Sequence, residues 1–218
     1  MPNEQVVHVV DDDVAVRQSL SFLLASDGLP VRLHETASAF LEAVDDAAVG
    51  CVVTDVRMPG IDGIELLRRL RVGGITLPVI VMTGHADVPM AVEAMREGAV
   101  DFIEKPFDDD VFLASVRSAL RLREQHAQRE AQVGMVQTRI QSLSERERQV
   151  LDGLVAGKAN KVIAFDLGIS PRTVEIYRAN VMTKMQAGSL SELVRMTMRT
   201  EADPDVGDRA LKGNTGLG

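Results

Sequence analysis

The sequence predicts a doubly wound α/β domain with a five-stranded parallel sheet, followed by a small all-α domain. Three observations carry this. Five short apolar runs alternate with helix-periodic segments between residues 5 and 122, and consecutive βα units of this kind demand a parallel sheet with helices on both faces. Beyond residue 142 only helical periodicity remains, broken by caps and glycine turns. The charge divides in the same way. Residues 1–110 carry 20 acidic and 8 basic residues, net −12, whereas residues 144–199 carry 6 acidic and 9 basic, net +3.

The elements follow in order. Val6-Val7-His8-Val9-Val10 is a continuous apolar run, as expected of a strand covered on both faces. Asp11-Asp12-Asp13 ends it, with Asp13 as the cap of a helix through Val14, Leu20, Phe22, Leu23 and Leu24 that stops at Asp27-Gly28. Val31-Arg32-Leu33 is the second strand, and Ser38 opens a helix through Phe40, Leu41 and Val44. Cys51-Val52-Val53-Thr54 is the third strand and ends at Asp55, because Met58-Pro59-Gly60 forbids its continuation. Asp62 or Gly63 opens a helix with Ile64, Leu67 and Leu70 on one face, closed by Gly73-Gly74. Val79-Ile80-Val81-Met82-Thr83 is the fourth strand, and a helix over 89–97 ends at Gly98. Asp101 to Glu104 is the fifth, followed by Lys105-Pro106. Asp108-Asp109-Asp110 then caps a last helix carrying Val116, Leu120 and Leu122.

From Asp110 to Ile140 the chain has no proline and Gly134 as its single glycine. The helix is therefore expected to run on through a linker over 123–142. Val133, Val136, Ile140 and Leu143 form a thin apolar line without a heptad, read as a solvated spacer, with a dimer seam as the alternative. Ser144-Glu145-Arg146-Glu147 is a capping box that opens the second domain. Its first helix carries Val150, Leu151, Leu154 and Val155 to Gly157. Asn160 caps the next, with Ile163, Ala164 and Leu167. Gly168-Ile169-Ser170 is a tight turn, and Ser170-Pro171 starts a third helix with Val174, Ile176, Val181 and Met185. Ser189 caps a fourth. This spacing is a helix-turn-helix pattern over about 160–179. Residues 201–218 have the composition of a disordered tail.

No apolar run approaches the roughly 20 residues of a membrane span, and the polar N-terminus does not read as a secretory signal. The single cysteine, Cys51, lies in a core strand and forms no internal disulfide, so a cytoplasmic protein is expected.

Ligands of open α/β sheets bind at the carboxyl ends of the strands. Asp11 and Asp12 end the first strand and Asp55 the third, which are neighbours at the switch point of a doubly wound sheet. Three carboxylates in one pocket call for a hard divalent cation, Mg²⁺ (or Mn²⁺). Thr83 and Lys105 end the fourth and fifth strands. Acids, cation, hydroxyl and ammonium together suit a phosphoryl group on a carboxylate.

Asp11-Asp12, Asp55-x-x-Met58-Pro59-x-x-x-Gly63, Thr83-Gly84 and Lys105-Pro106 resemble the flavodoxin-like receiver domain of two-component response regulators over residues 5–122. The resemblance implies Asp55 as phosphoacceptor. It also implies Asp11, Asp12, Asp55 and the carbonyl of Arg57 as Mg²⁺ ligands, and Thr83 with Lys105 as the pair that senses the phosphoryl group. Phe102 occupies the family's rotating aromatic position, and Val92, Met95, Arg96 and Ile103 are expected on a dimer face that phosphorylation remodels. Leu143-Ser144-x-Arg146-Glu147-Arg148-x-Val150-Leu151, Gly157-x-x-Asn160-Lys161-x-Ile163-Ala164, Ile169-Ser170-x-x-Thr173-Val174 and Lys184-Met185 resemble the LuxR-type helix-turn-helix family over 142–200. With Val174, Val181 and Met185 inward, Arg172, Thr173, Glu175, Ile176, Arg178 and Ala179 become the DNA-facing candidates, and Asn160, Lys161 and Lys184 suit phosphates. Tyr177 stands where many relatives carry His; a phosphate hydrogen bond and partial packing are both open.

A finer likeness is to the nitrogen-fixation branch of the response regulators. It is carried by Gly84-His85-x-Asp87-Val88-Pro89-Met90-Ala91-Val92-Glu93-Ala94-Met95, Asp101-Phe102-x-Glu104-Lys105-Pro106-Phe107 and Ser170-Pro171-Arg172-Thr173-Val174-Glu175. The expected protein is a transcription activator, phosphorylated by a sensor histidine kinase of the haem oxygen-sensing kind. It would dimerise on promoter DNA and work with RNA polymerase, with no membrane involved. Alternatives are the same architecture answering another signal, an Mg²⁺-dependent phosphotransfer enzyme, or a constitutive DNA binder with an idle receiver. Asp55-Val56-Arg57 lacks the Asp-x-Asp of haloacid-dehalogenase-like phosphatases, which weighs against the enzyme.

Overall fold

The structure, a computed structural model, describes residues 5–45, 48–84 and 88–201. The chain divides into two compact units, residues 1–126 and 127–218. In the first, β1 (Val6–Val10), α1 (Val14–Ser26), β2 (Val31–His34), α2 (Ala37–Ala43), β3 (Gly50–Asp55), α3 (Gly63–Val72), β4 (Val79–Thr83), α4 (Val88–Glu97) and β5 (Asp101–Glu104) alternate as predicted. The helix α5 (Asp109–Gln141) follows. The five strands are parallel in the order β2-β1-β3-β4-β5. β1 pairs with β3 so that Val10 lies beside Thr54, which brings Asp11 and Asp55 to the same edge of the sheet.

The sheet is covered on both faces, which explains the unbroken apolar strands. Val52, Val79 and Val81 pack with Phe40, Leu66, Leu67 and Leu70 on one side. Cys51, Val53, Ile80 and Met82 pack with Leu20, Leu24, Phe112 and Val116 on the other. Burial pushes the Cys51 thiol up to about 12, so it is a core residue. Asp13 caps α1, its carboxylate accepting from Ala15 N at 2.7 Å, and Asp62 caps α3, accepting from Glu65 N at 2.7 Å. The cap of α2 is Thr36, accepting from Ala39 N at 3.1 Å, and not Ser38. Two residues of slack in a Ser/Thr/Ala-rich segment are invisible to periodicity.

In the second unit, α6 (Glu145–Val155), α7 (Asn160–Leu167), α8 (Pro171–Met185) and α9 (Leu190–Glu201) enclose Val150, Leu151, Leu154, Ile163, Val174, Val181, Met185 and Leu193. The capping box at Ser144 and Glu147 forms as expected. Asn160 is not a cap. Ala159 occupies that position without a side-chain bond, and Asn160 is the first helical residue of α7. Gly168 closes α7 in the left-handed region at φ 65°, and Ser170 caps α8 through Thr173 N at 3.1 Å. The apolar line at the end of α5 is not a solvated spacer: Val136 and Leu143 are buried in this core and Ile140 packs against it. The tail from residue 202, expected to be disordered, lies outside the described residues.

Candidate phosphoacceptor site and nucleic-acid interface

Asp55 is the last residue of β3 and Asp11 follows β1, and both are buried, at 7% and 2% exposure. Lys105, one residue past β5, reaches across the sheet edge to join them. Its Nζ donates to Asp11 Oδ2 at 2.8 Å and to Asp55 Oδ1 at 2.6 Å. Burial alone would push the Lys105 ammonium down, but its hydrogen bonds to the two carboxylates carry it above its ordinary value. It is therefore a fixed positive charge between two acids at neutral pH. Asp55 Oδ2 accepts from Arg57 N at 2.7 Å and Asp11 Oδ1 from Asp13 N at 2.9 Å. Each carboxylate oxygen thus carries one hydrogen bond and keeps a second lone pair for a further ligand. Thr83 ends β4 at 1% exposure, and its carbonyl accepts from Lys105 N at 2.8 Å, tying the ends of β4 and β5 together.

Asp12 is exposed. It lines an open cleft of about 780 Å³ with Arg57, Met58, Pro59, Asp62 and residues 89, 90 and 93 of α4. The three predicted ligand carboxylates therefore do not form a ready-made cluster. Among the described residues, no group of three or more His, Cys, Asp and Glu side chains is arranged to hold a metal. Asp11 and Asp55 converge on Lys105 instead. The donor chemistry still fits a hard divalent cation, since the predicted ligands are all oxygens with lone pairs to spare.

The predicted dimer face is divided. Val92 and Met95 are exposed at 43% and 50%, and Arg96 is exposed too. Ile103 is buried at 6% with Phe112 and Val116 and cannot contribute to a surface. Its neighbour Phe102 faces the other side of the sheet, half-buried against the opposite cluster. Arg68 of α3 grips α4 through Glu93 at 2.6 Å and Glu97 at 3.0 Å.

On α8, Val174, Val181 and Met185 are fully buried. Arg172, Glu175, Ile176 and Ala179 are exposed at helical spacing, while Thr173 and Arg178 are half-buried. Thr173 Oγ1 also meets Ser170 Oγ at 2.8 Å, inside the cap. Lys161 is exposed and Asn160 half-buried at the start of α7. Tyr177 packs partly against the core. Lys184 is already engaged, its Nζ donating to Glu147 Oε2 at 2.7 Å. That bond, with one from Ser144 N, holds the Glu147 carboxyl below the usual carboxylate range. Its partner lies 37 residues away in sequence, so nothing local announced the pairing.

Two arginines of these sites were not singled out in the sequence. Arg17 Nη1 donates to the Asp11 carbonyl at 2.6 Å, and Arg139 reaches the end of α8. Arg17 stands four residues after the α1 cap, a spacing that returns its side chain to the strand end.

A parallel sheet with two buried acids and a lysine at its carboxyl edge, joined to a helix-turn-helix unit, defines a two-component response regulator. The chain belongs to that family: residues 7–117 match the response regulator receiver domain, and residues 141–197 match the bacterial regulatory proteins of the luxR family. It is 60% identical to the transcriptional regulatory protein FixJ of Azorhizobium caulinodans over 205 residues, 94% of this chain and 97% of that one. Among solved structures, full-length FixJ from B. japonicum is 56% identical over 92% of this chain and 99% of its own, with a TM-score of 0.57. The response regulator StyR is 39% identical over 90% and 99%, with a TM-score of 0.80. The family consists of transcription regulators and not turnover enzymes, which removes the phosphotransfer-enzyme alternative. Among the described residues no helix is long and apolar enough to cross a membrane.

Proposed function

We propose that this chain is a cytoplasmic transcription activator switched by phosphorylation of Asp55, in the manner of FixJ. One observation carries the reading: Lys105 Nζ sits within 2.8 Å of both Asp11 and Asp55, with Thr83 at the end of the adjoining strand. The Asp55 carboxylate attacks the phosphorus of a phosphohistidine on a sensor kinase. A P–O bond forms as the P–N bond breaks, and the imidazole leaves with the electron pair and takes up a proton from solvent. Lys105 balances charge on the new acyl phosphate, and the Thr83 hydroxyl donates to it. Asp11, Asp12, Asp55 and the Arg57 carbonyl would hold Mg²⁺, which neutralises phosphoryl oxygens when bound. Thr83 moves toward the phosphoryl group and Phe102 turns inward behind it. This changes the face formed by α4, where Val92, Met95 and Arg96 take part in pairing two receivers.

Pairing brings two α8 helices to two half-sites. Arg172, Glu175, Ile176 and Ala179 meet base edges or backbone in the major groove, with Arg178 and Thr173 beside them and Lys161 and Asn160 on phosphates. RNA polymerase is the downstream partner. Identity of 60% and 56% to proteins named FixJ, against 39% to StyR, favours a kinase of the FixL kind, a haem oxygen sensor. The test is Asp55→Asn with acetyl phosphate and Mg²⁺. Wild type is expected to gain one base- and hydroxylamine-labile phosphoryl group, to dimerise and to bind DNA more tightly, while the variant does none of these. Phosphate-dependent dimerisation of Asp55→Asn would sink the scheme.

A further inference from the structure

The last turn of α5 holds the C-terminal end of α8. Arg139 Nη1 donates to the Met185 carbonyl at 3.1 Å, and Nη2 donates to Gln186 Oε1 at 2.6 Å. Met185 is the final residue of α8, and Gln186 is its cap, in the left-handed region at φ 53°. The last carbonyls of a helix lack intrahelical donors, and a cation there also meets the negative end of the helix dipole. The fork of an arginine suits the place, with one arm on a backbone oxygen and the other on the cap's amide oxygen.

The grip has a firm base. Ile140 packs against the core that includes Met185, and Arg148 Nη2 donates back to the Ile140 carbonyl at 3.3 Å. Beside it, Lys184 Nζ donates to Glu147 Oε2 at 2.7 Å and to the Ser142 carbonyl at 3.4 Å. The opposite end of α8 is held by its own Ser170 cap. The pose of α8 in this unit is therefore set at its far end by residues 139–147.

We propose that Arg139 is a positioning residue for DNA reading: it fixes the C-terminal end of α8 and so the angle at which Arg172, Glu175 and Ile176 are presented. This rests on α8 being the DNA-facing helix. A residue that acts through α8 contributes no counterion release of its own, whereas a phosphate-contacting cation does. The two roles separate in the salt dependence of binding.

The experiment uses the full chain, phosphorylated with acetyl phosphate, and a duplex enriched by the wild-type chain from a random-sequence pool. Arg139→Gln is expected to weaken binding about tenfold with the slope of log affinity on log salt unchanged. Arg139→Lys, keeping the charge but not the fork, recovers part of the loss. Arg172→Ala also weakens binding, but with a slope smaller by about one. The proposal is overturned if Arg139→Gln binds within about twofold of wild type, or if its slope falls by about one, which marks a direct phosphate contact. It is equally overturned if the unfolded fraction at the assay temperature, read by circular dichroism, accounts for the loss. Wild-type affinity and slope in Arg172→Ala would overturn the DNA-facing assignment of α8, and the proposal with it.

Discussion

Outside the phosphoacceptor site, His8 and His34 form a buried pair of titratable rings. His8 Nδ1 lies 3.1 Å from His34 Nε2, the two rings stack on each other, and each meets Phe40 of α2 edge-on. Burial, then the neighbouring His34 and Arg32, lowers His8 to about 4, and burial with Arg32 lowers His34 as well. Only one nitrogen of the touching pair can donate to the other, so the pair is compatible with neutral rings. Below pH 6.5 the unfolded chain takes up protons that the folded His8 refuses until about pH 4. The stability is therefore fully present above the unfolded value and is lost as pH falls through that window. Between pH 7.5 and pH 5 the receiver should lose of order 1 kcal/mol through His8 after allowance for solvent screening. For a unit of this size that corresponds to about 4 °C in its midpoint. His8→Leu should flatten the profile. A receiver equally stable at both pH values, or a variant with the wild-type profile, would refute the assignment.

Between residue and whole molecule, the β3–α3 connection shows how an element places a site. Gly63 donates its N–H to the Val56 carbonyl at 3.0 Å, and a Cβ built there would lie 2.3 Å from the Asp55 carbonyl oxygen. Backbone cannot give way as a side-chain tip can. Gly63→Ala should therefore cost about 1–3 kcal/mol by overpacking and disturb phosphoryl uptake at Asp55. Gly60, at φ 81° with open space around it, is the control: its Ala variant bears only the backbone penalty of about 1–2 kcal/mol. Acetyl-phosphate uptake separates the two. Unimpaired phosphorylation of Gly63→Ala would show that the close approach does not position Asp55. The placement of Asp11, Asp55, Thr83 and Lys105 on one sheet edge was legible because each stands at the end of a strand, and strand ends align in a parallel sheet. It misplaced Ile103 because helices cover both faces of β5, so alternation alone cannot tell which of Phe102 and Ile103 faces which layer. Glu147 with Lys184, and Arg139 with Met185, were illegible because tertiary contacts between distant residues leave no local period.

At the scale of the whole molecule, the two cores are separate sets of residues, and the second begins before the helix-turn-helix pattern does. The capping box placed the start of the DNA-binding domain near residue 143, yet Val136 is buried at 9% in that core and Ile140 packs against it. The mildly basic half of the chain thus takes its stability partly from the end of α5. A fragment over 127–201 should fold as a unit, whereas one starting at 143 loses Val136, Ile140 and the Arg139 cap together. Burial of one valine and part of an isoleucine, with a cap of about 1 kcal/mol, places the difference at roughly 3–4 kcal/mol. For a unit of this size that is a large share of the total stability. Urea denaturation of the two fragments measures it directly. Equal stability would mean that the α5 segment merely rests on the second core. A lower midpoint in the short fragment, repeated in part by Val136→Ala in the long one, would make the end of α5 a structural part of the reader. The linker would then be divided in function, with only the residues before this packed turn left to act as a spacer.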